Sequence, residues 1–293
     1  MHAGGASYDR RMKTILLSLA FAAGLVAAQP FQVKVTGHGP AMILIPGLTC
    51  PGEVWDSTVA HYQGKYQVHV LSLAGFAGVP AVPGPVIDNV REALAAYIRD
   101  NHLVKPIIVG HSLGGFVALD LAASHPELPG KLVIVDAYPF FAGLADPGAT
   151  LEKAKANAEM MRKGMAAQTQ EAYNAYVKSG ASSRMMVTKD ADFERVVAWG
   201  LSSDRATVGD AMSGLFGTDL RGDLARIHSP TLVLGSWIAY KQWTDHARTE
   251  ANLRSQYAKL AGVEIAVTDT ARHFIMWDDP DWMFGQIDHF LGR

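Results

Sequence analysis

The sequence predicts an α/β fold: a mostly parallel sheet covered by helices on both faces, carrying one helical cap insertion. Three observations predict it. Short apolar or β-branched runs recur along the chain, and the stretches between them are amphipathic at helical spacing. One long segment, residues 138–227, has no convincing strand pattern and reads as helices inserted between two core strands.

Residues 31–36 (FQVKVT) alternate between apolar and polar and read as an edge strand. Residues 41–45, 66–73, 106–109, 131–135, 231–234 and 263–267 are more continuously apolar, as strands buried on both faces are. Between them, residues 88–101 place Val90, Leu94, Ala95, Tyr97 and Ile98 at helical spacing, and residues 113–124 and 244–260 read as further helices. A last helix is expected over about 281–291, with Asp279 as its N-cap and Pro280 at the first helical position, where a missing N–H costs nothing. Within the insertion, residues 150–176 are rich in strong helix formers. Met160, Met161, Met165, Met185, Met186 and Met212 lie there, either as filling between helices or as an adaptable pocket lining. The Gly- and Pro-rich loop 74–85 is of a kind that borders functional sites.

Composition bounds the function. A chain of 293 residues, 49% hydrophobic and 18% charged, suits one large α/β domain. A formal net charge of −2 leaves no electrostatic footprint for nucleic acid. Cys50 is the single cysteine, which excludes an intrachain disulfide and any cysteine-based zinc cluster.

The first 28 residues read as a signal peptide ahead of a domain spanning 29–293. Arg10, Arg11 and Lys13 form a positive start, residues 15–26 are apolar, and Val26-Ala27-Ala28 supplies small residues before a cleavage site at Gln29. The apolar run is too short to span a bilayer, and no cysteine follows it to carry a lipid. The expected location is periplasmic or secreted, without a stable membrane anchor after cleavage.

The chemistry centres on Gly110-His111-Ser112-Leu113-Gly114-Gly115, directly after a strand pattern and directly before a helix pattern. A serine on such a sharp turn has its hydroxyl exposed at the sheet edge, and the glycines are expected to let the backbone turn and pack closely. A serine hydroxyl is a weak nucleophile until a base takes its proton. Of the eleven histidines, His273 follows the last strand and lies at the same sheet edge as Ser112, where open α/β sheets bind ligands. His111 is expected to point away and pack. Two backbone N–H donors are needed for a tetrahedral oxyanion, and Leu113 and Leu48, the latter in the loop Pro46-Gly47-Leu48-Thr49, are the candidates.

These features together, with a strand ending in Asp136 and the late His273, resemble the α/β-hydrolase superfamily over residues 31–293. The tail from His273 through Asp278-Asp279-Pro280 to Phe290-Leu291 is similar to that family's histidine loop and last helix. Three departures stand out. The family usually carries Gly where Arg272 precedes the histidine, and often His-Gly where Pro46-Gly47 stands. Its triad acid commonly follows the penultimate strand, but there this chain reads Gly235-Ser236-Trp237-Ile238. Asp136 is the preferred acid and Asp245 the alternative, since both keep the order Ser…Asp…His.

The resemblance implies a serine hydrolase that cleaves a small ester or similar acyl substrate through an acyl-enzyme on Ser112, and the signal segment makes it an exported one. Its partner is then a small acyl molecule, with no metal and no organic cofactor expected, and the oligomeric state left open. An aminopeptidase, a perhydrolase or a carbon–carbon hydrolase on the same fold remains as an alternative, the first needing acids such as Glu152, Glu159, Glu171 or Glu194 to hold an amine. A non-catalytic ligand-binding protein is the alternative from a different class.

Overall fold

The computed structural model describes residues 1–2, 29–146 and 148–292. The expected signal segment therefore lies, but for its first two residues, outside the described residues. Seven strands form one sheet: β1 (Phe31–Gly37), β2 (Ala41–Ile45), β3 (Gln67–Leu73), β4 (Ile107–His111), β5 (Lys131–Val135), β6 (Thr231–Ser236) and β7 (Glu264–Thr268). Their spatial order is β1-β3-β2-β4-β5-β6-β7. Only β1 runs antiparallel to its neighbour, and it lies at one edge of the sheet with most of its residues partly or fully exposed. Strands β2 and β6 are buried throughout; β2 is accordingly apolar along its whole length, and β6 over Leu232, Val233 and Leu234.

The helices are α1 (Asp56–Tyr62), α2 (Val86–Asp100), α3 (Leu113–Ser124), α4 (Ala142–Ala145), α5 (Leu151–Ala167), α6 (Gln170–Ser179), α7 (Asp190–Leu201), α8 (Arg205–Gly217), α9 (His246–Gln256), α10 (Ile275–Asp278) and α11 (Pro280–Leu291). Successive side chains of a strand point to opposite faces, so β2 feeds two cores. Ile43 and Ile45 join Leu94 of α2 and Phe116 of α3, whereas Met42 and Leu44 join Trp55 and, from α11, Met283 and Ile287. The Asp279 carboxylate accepts the Trp282 N–H at 3.2 Å and caps α11, with Pro280 in the first turn. No helix among the described residues is long and apolar enough to cross a membrane.

Helices α4–α8 fill the chain between β5 and β6, and no strand interrupts them among the described residues. Small residues let α5 and α8 approach closely: a Cβ on Gly217 would stand 3.1 Å from that of Ala158. The methionines of this segment divide between roles. Met165 and Met212 pack on one core and Met186 on the other, while Met160 is 65% exposed. Loop 74–85 fastens to the junction of α7 and α8, with Gly78 donating to the Ser202 carbonyl at 2.9 Å and Asp204 to that of Gly75 at 2.7 Å.

Candidate active site

The turn from β4 into α3 is made by the serine itself. Ser112 has φ 54° and ψ −118°, a conformation sparsely populated by residues with a side chain. It is held by its own N–H, which donates to the Val135 carbonyl at 3.0 Å, and by its carbonyl, which receives the Phe116 N–H at 3.0 Å. The positive φ of the turn falls on Ser112 and not on a glycine, while the glycines provide the close approach expected of them. A Cβ on Gly114 would stand 2.2 Å from the Ile45 carbonyl oxygen, and one on Gly110 would stand 2.3 Å from that of Gly114. The helix start is thus pressed against the end of β2.

One strand over, β4 and β5 pair with His111 opposite Val135, so Ser112 and Asp136 are the next residues on neighbouring parallel strands. Asp136 shares the unusual backbone, with φ 47°, and is 4% exposed. A carboxylate buried this deeply needs partners. Oδ1 accepts the Ser236 N–H at 2.8 Å, while Oδ2 accepts the Ser236 hydroxyl at 2.9 Å and His273 Nδ1–H at 2.6 Å. Burial, reinforced by the Asp136 charge, pushes the Tyr240 phenol up to about 12 and those of Tyr138 and Tyr257 well above their ordinary value.

Asp245, the alternative acid, lies elsewhere. Its carboxylate caps α9, accepting the Arg248 N–H at 2.8 Å, and it pairs with the Arg248 guanidinium at 3.5 Å on an exposed surface. An aspartate just ahead of a helix satisfies an orphan N–H of the first turn, and that local bond decides its position.

His273 is 8% exposed, as is Ser112. A carboxylate only accepts, so the bond to Asp136 puts the proton on Nδ1 and leaves Nε2 as the free base. The His273 carbonyl is fixed in turn by His111, whose Nε2–H donates to it at 3.0 Å. His111 packs as expected, edge-on to Trp55 and within 4.9 Å of Phe274 between ring centres. Its bond to His273 is an addition that sequence spacing did not reveal. Burial, then the neighbouring His273, holds the His111 imidazole well below the ordinary range and therefore neutral. Among the described residues the Ser112 hydroxyl makes no hydrogen bond of its own; such contacts are often completed only when substrate binds.

The loop at residues 46–50 rests on this turn, and a Cβ on Gly47 would stand 3.2 Å from that of Ser112. The Leu48 carbonyl is engaged within the loop by the Thr49 hydroxyl at 2.7 Å and the Cys50 thiol at 3.4 Å. Leu113 is the first residue of α3, where a backbone N–H has no partner inside the helix and the helix dipole is positive. Cys50 is buried and its thiol is pushed up to about 12, so it stays protonated and inert.

Two clefts of about 510 and 520 Å³ share Pro85 and Asp210 and do not include Ser112, Asp136 or His273. Met160, Met161, Met165, Met185, Met186 and Met212 line neither of them. Of the acids considered for holding an amine, Glu159 pairs with Arg162 and Lys163, and Glu152, Glu171 and Glu194 face solvent. Arg272 forms bonds to the backbone of residues 184–187, and Ile238 sits in a short 3₁₀ turn, Ile238–Tyr240, beyond the Asp136 partner Ser236.

Comparison with known proteins bears on the family and the fold. A family model described as alpha/beta hydrolase family matches residues 42–286. The chain is similar to the pimeloyl-[acyl-carrier protein] methyl ester esterase of Aeromonas hydrophila, 27% identical over 89% of this chain and 99% of that one. The enzyme of the same name from Nitrosomonas europaea is 26% identical over 69% of this chain and 79% of its own length. An esterase from Exiguobacterium antarcticum, 14% identical, superposes with a TM-score of 0.72 over 90% of this chain and 96% of that one, and shares the fold. On the extent of the family match, which spans residues 42–286 of the chain, the protein belongs to the alpha/beta hydrolase family.

Proposed function

We propose that this chain is a serine hydrolase that cleaves a small carboxylic ester through an acyl-enzyme on Ser112. The observation that carries the reading is the buried Asp136–His273 bond of 2.6 Å beside a serine held on the neighbouring strand end. Ser112 Oγ attacks the ester carbonyl as His273 Nε2 takes its proton. Asp136 stabilises the imidazolium that forms and keeps the ring in the tautomer that leaves Nε2 free. The backbone N–H groups of Leu113 and Leu48 receive the developing oxyanion. Collapse releases the alcohol, protonated by His273, and a water activated by the same nitrogen then frees the acid. No step calls for a metal or an organic cofactor. The names of the curated relatives favour an ester over an amide, and a small acyl molecule is the substrate we assign.

Export to the periplasm or medium belongs to the same proposal and rests on the basic and apolar pattern of residues 10–28. A fluorophosphonate probe followed by peptide mapping tests the chemistry: the adduct is expected on Ser112, and folded protein that takes no label there overturns the reading. Chromogenic esters and aminoacyl amides then separate an esterase from a peptidase. Cell fractionation with N-terminal sequencing tests export, the expected mature start being Gln29.

A further inference from the structure

The departure at Arg272 has a definite place in the structure. Its guanidinium Nη1 donates to the Val187 carbonyl at 2.9 Å and, more weakly, to those of Arg184 at 3.3 Å and Met185 at 3.4 Å. Its backbone N–H donates to Asp278 Oδ2 at 2.8 Å. That same oxygen accepts the Thr188 hydroxyl at 2.9 Å. The link between α6 and α7 is therefore tied twice to the chain around His273, once through a side chain next to the histidine and once through Asp278. Val187 continues the connection inward, being 2% exposed and packed in the core that holds Phe274 and Ile275. On the far side of His273, its carbonyl is held by His111 at 3.0 Å.

We infer that Arg272 is a positioning residue for the hydrolysis: with Asp278 and Thr188 it locks the α6–α7 link and the His273 loop into one unit. The inference rests on the proposed role of His273 as base. The guanidinium is always charged, and its Nη1 alone carries two N–H donors toward this cluster of backbone carbonyls. The glycine that the wider family usually carries at this position offers no such tie. In this chain the seat of the base is thereby coupled to the helical segment between β5 and β6. Small displacements at such a site are costly, since misplacement of a reacting group by about 1 Å lowers a rate by roughly a hundredfold.

The test compares Arg272→Met, which keeps the aliphatic stem and loses the donors, with Arg272→Lys and Thr188→Val, using a chromogenic ester. In Arg272→Met, kcat is expected to fall by about tenfold or more, within the range produced by such misplacement, with KM little changed. The acid limb of the kcat/KM profile is expected to move, and amide hydrogens of residues 184–189 and 272–278 to exchange faster. Arg272→Lys recovers part of kcat, and Thr188→Val shifts both readouts in the same direction by less. A folded Arg272→Met protein with the parent's kcat and pH profile overturns the inference, as does a rise in KM with kcat unchanged. Should Arg272→Met fail to fold, parent-like kcat and exchange in both other variants overturn it equally. Fluorophosphonate labelling of the parent keeps the two ideas apart: an unlabelled Ser112 defeats the catalytic reading, whereas a labelled Ser112 with rates indifferent to Arg272 defeats only this one.

Discussion

Ser236 donates both its backbone N–H and its hydroxyl to the Asp136 carboxylate, at 2.8 and 2.9 Å. The end of β6, where the resemblance places the acid, here supplies the donors, and the carboxylate that meets His273 stands at the end of β5. Asp136 is thereby held by two bonds from one residue and turned toward His273 by a third. The arrangement is preorganised, with both partners at the ends of adjacent strands and almost inaccessible to water. Such a carboxylate needs no rearrangement when the imidazolium forms.

Exchanging acids separates the two aspartates. Asp136→Asn is expected to lower kcat by about three to four orders of magnitude, because the amide favours the wrong imidazole tautomer. Asp245→Asn is expected to leave kcat unchanged and to cost at most about 1 kcal/mol through the cap of α9. Steady-state kinetics and thermal unfolding of the two variants check this, and a loss of activity confined to Asp245→Asn would reverse the assignment.

Ser236→Ala removes one donor and keeps the other. A hydrogen bond to a charged group contributes about 1.5–3 kcal/mol, so the variant is expected to lose stability in that range. If half of that reaches the transition state, kcat falls by roughly four- to tenfold. Ser236→Thr keeps a hydroxyl and is expected to lie nearer the parent. Urea unfolding and ester kinetics on the three proteins provide the measurement.

His111 makes the fold sensitive to acid. Burial holds its folded-state value well below the ordinary imidazole value of 6.5, so well above that pH it is uncharged both folded and unfolded. As pH falls below 6.5, the unfolded chain takes up a proton that the folded chain refuses, and stability declines. The contribution is complete above that value and is lost progressively on the way down to the folded value. His111→Gln, neutral at every pH and still a donor, is expected to show a flatter melting temperature between about pH 8 and about pH 5. An equal slope in the variant and the parent would contradict this account.

Cys50 is expected to resist modification. With its thiol pushed up to about 12 and the side chain 1% exposed, almost no thiolate is present at neutral pH. Iodoacetamide should label the folded protein only as fast as it opens, and labelling should accelerate through the unfolding transition in urea. Rapid labelling of native protein would contradict the burial.

The strands of the sheet, the serine turn after β4 and the histidine loop were legible from neighbouring residues. Apolar runs, helical spacing and caps are properties of neighbouring residues, so β2, β5 and α3 could be read to the residue, and the cap of α11 could be read from Asp279-Pro280. Boundaries drifted where the local pattern was weak. β6 runs on through Gly235 and Ser236, and α9 is shorter at both ends than its amphipathic stretch. The tertiary structure alone decided which groups meet. The order Ser…Asp…His allowed two carboxylates, and parallel register set Asp136 beside Ser112 while a helix cap occupied Asp245. Asp136 and His273 are 137 residues apart, His111 and His273 162, and Ser236 and Asp136 100, so no local spacing encodes their bonds. Strand order brings them to one edge, and the need of a buried carboxylate and a buried imidazole for partners selects the bonds they make there.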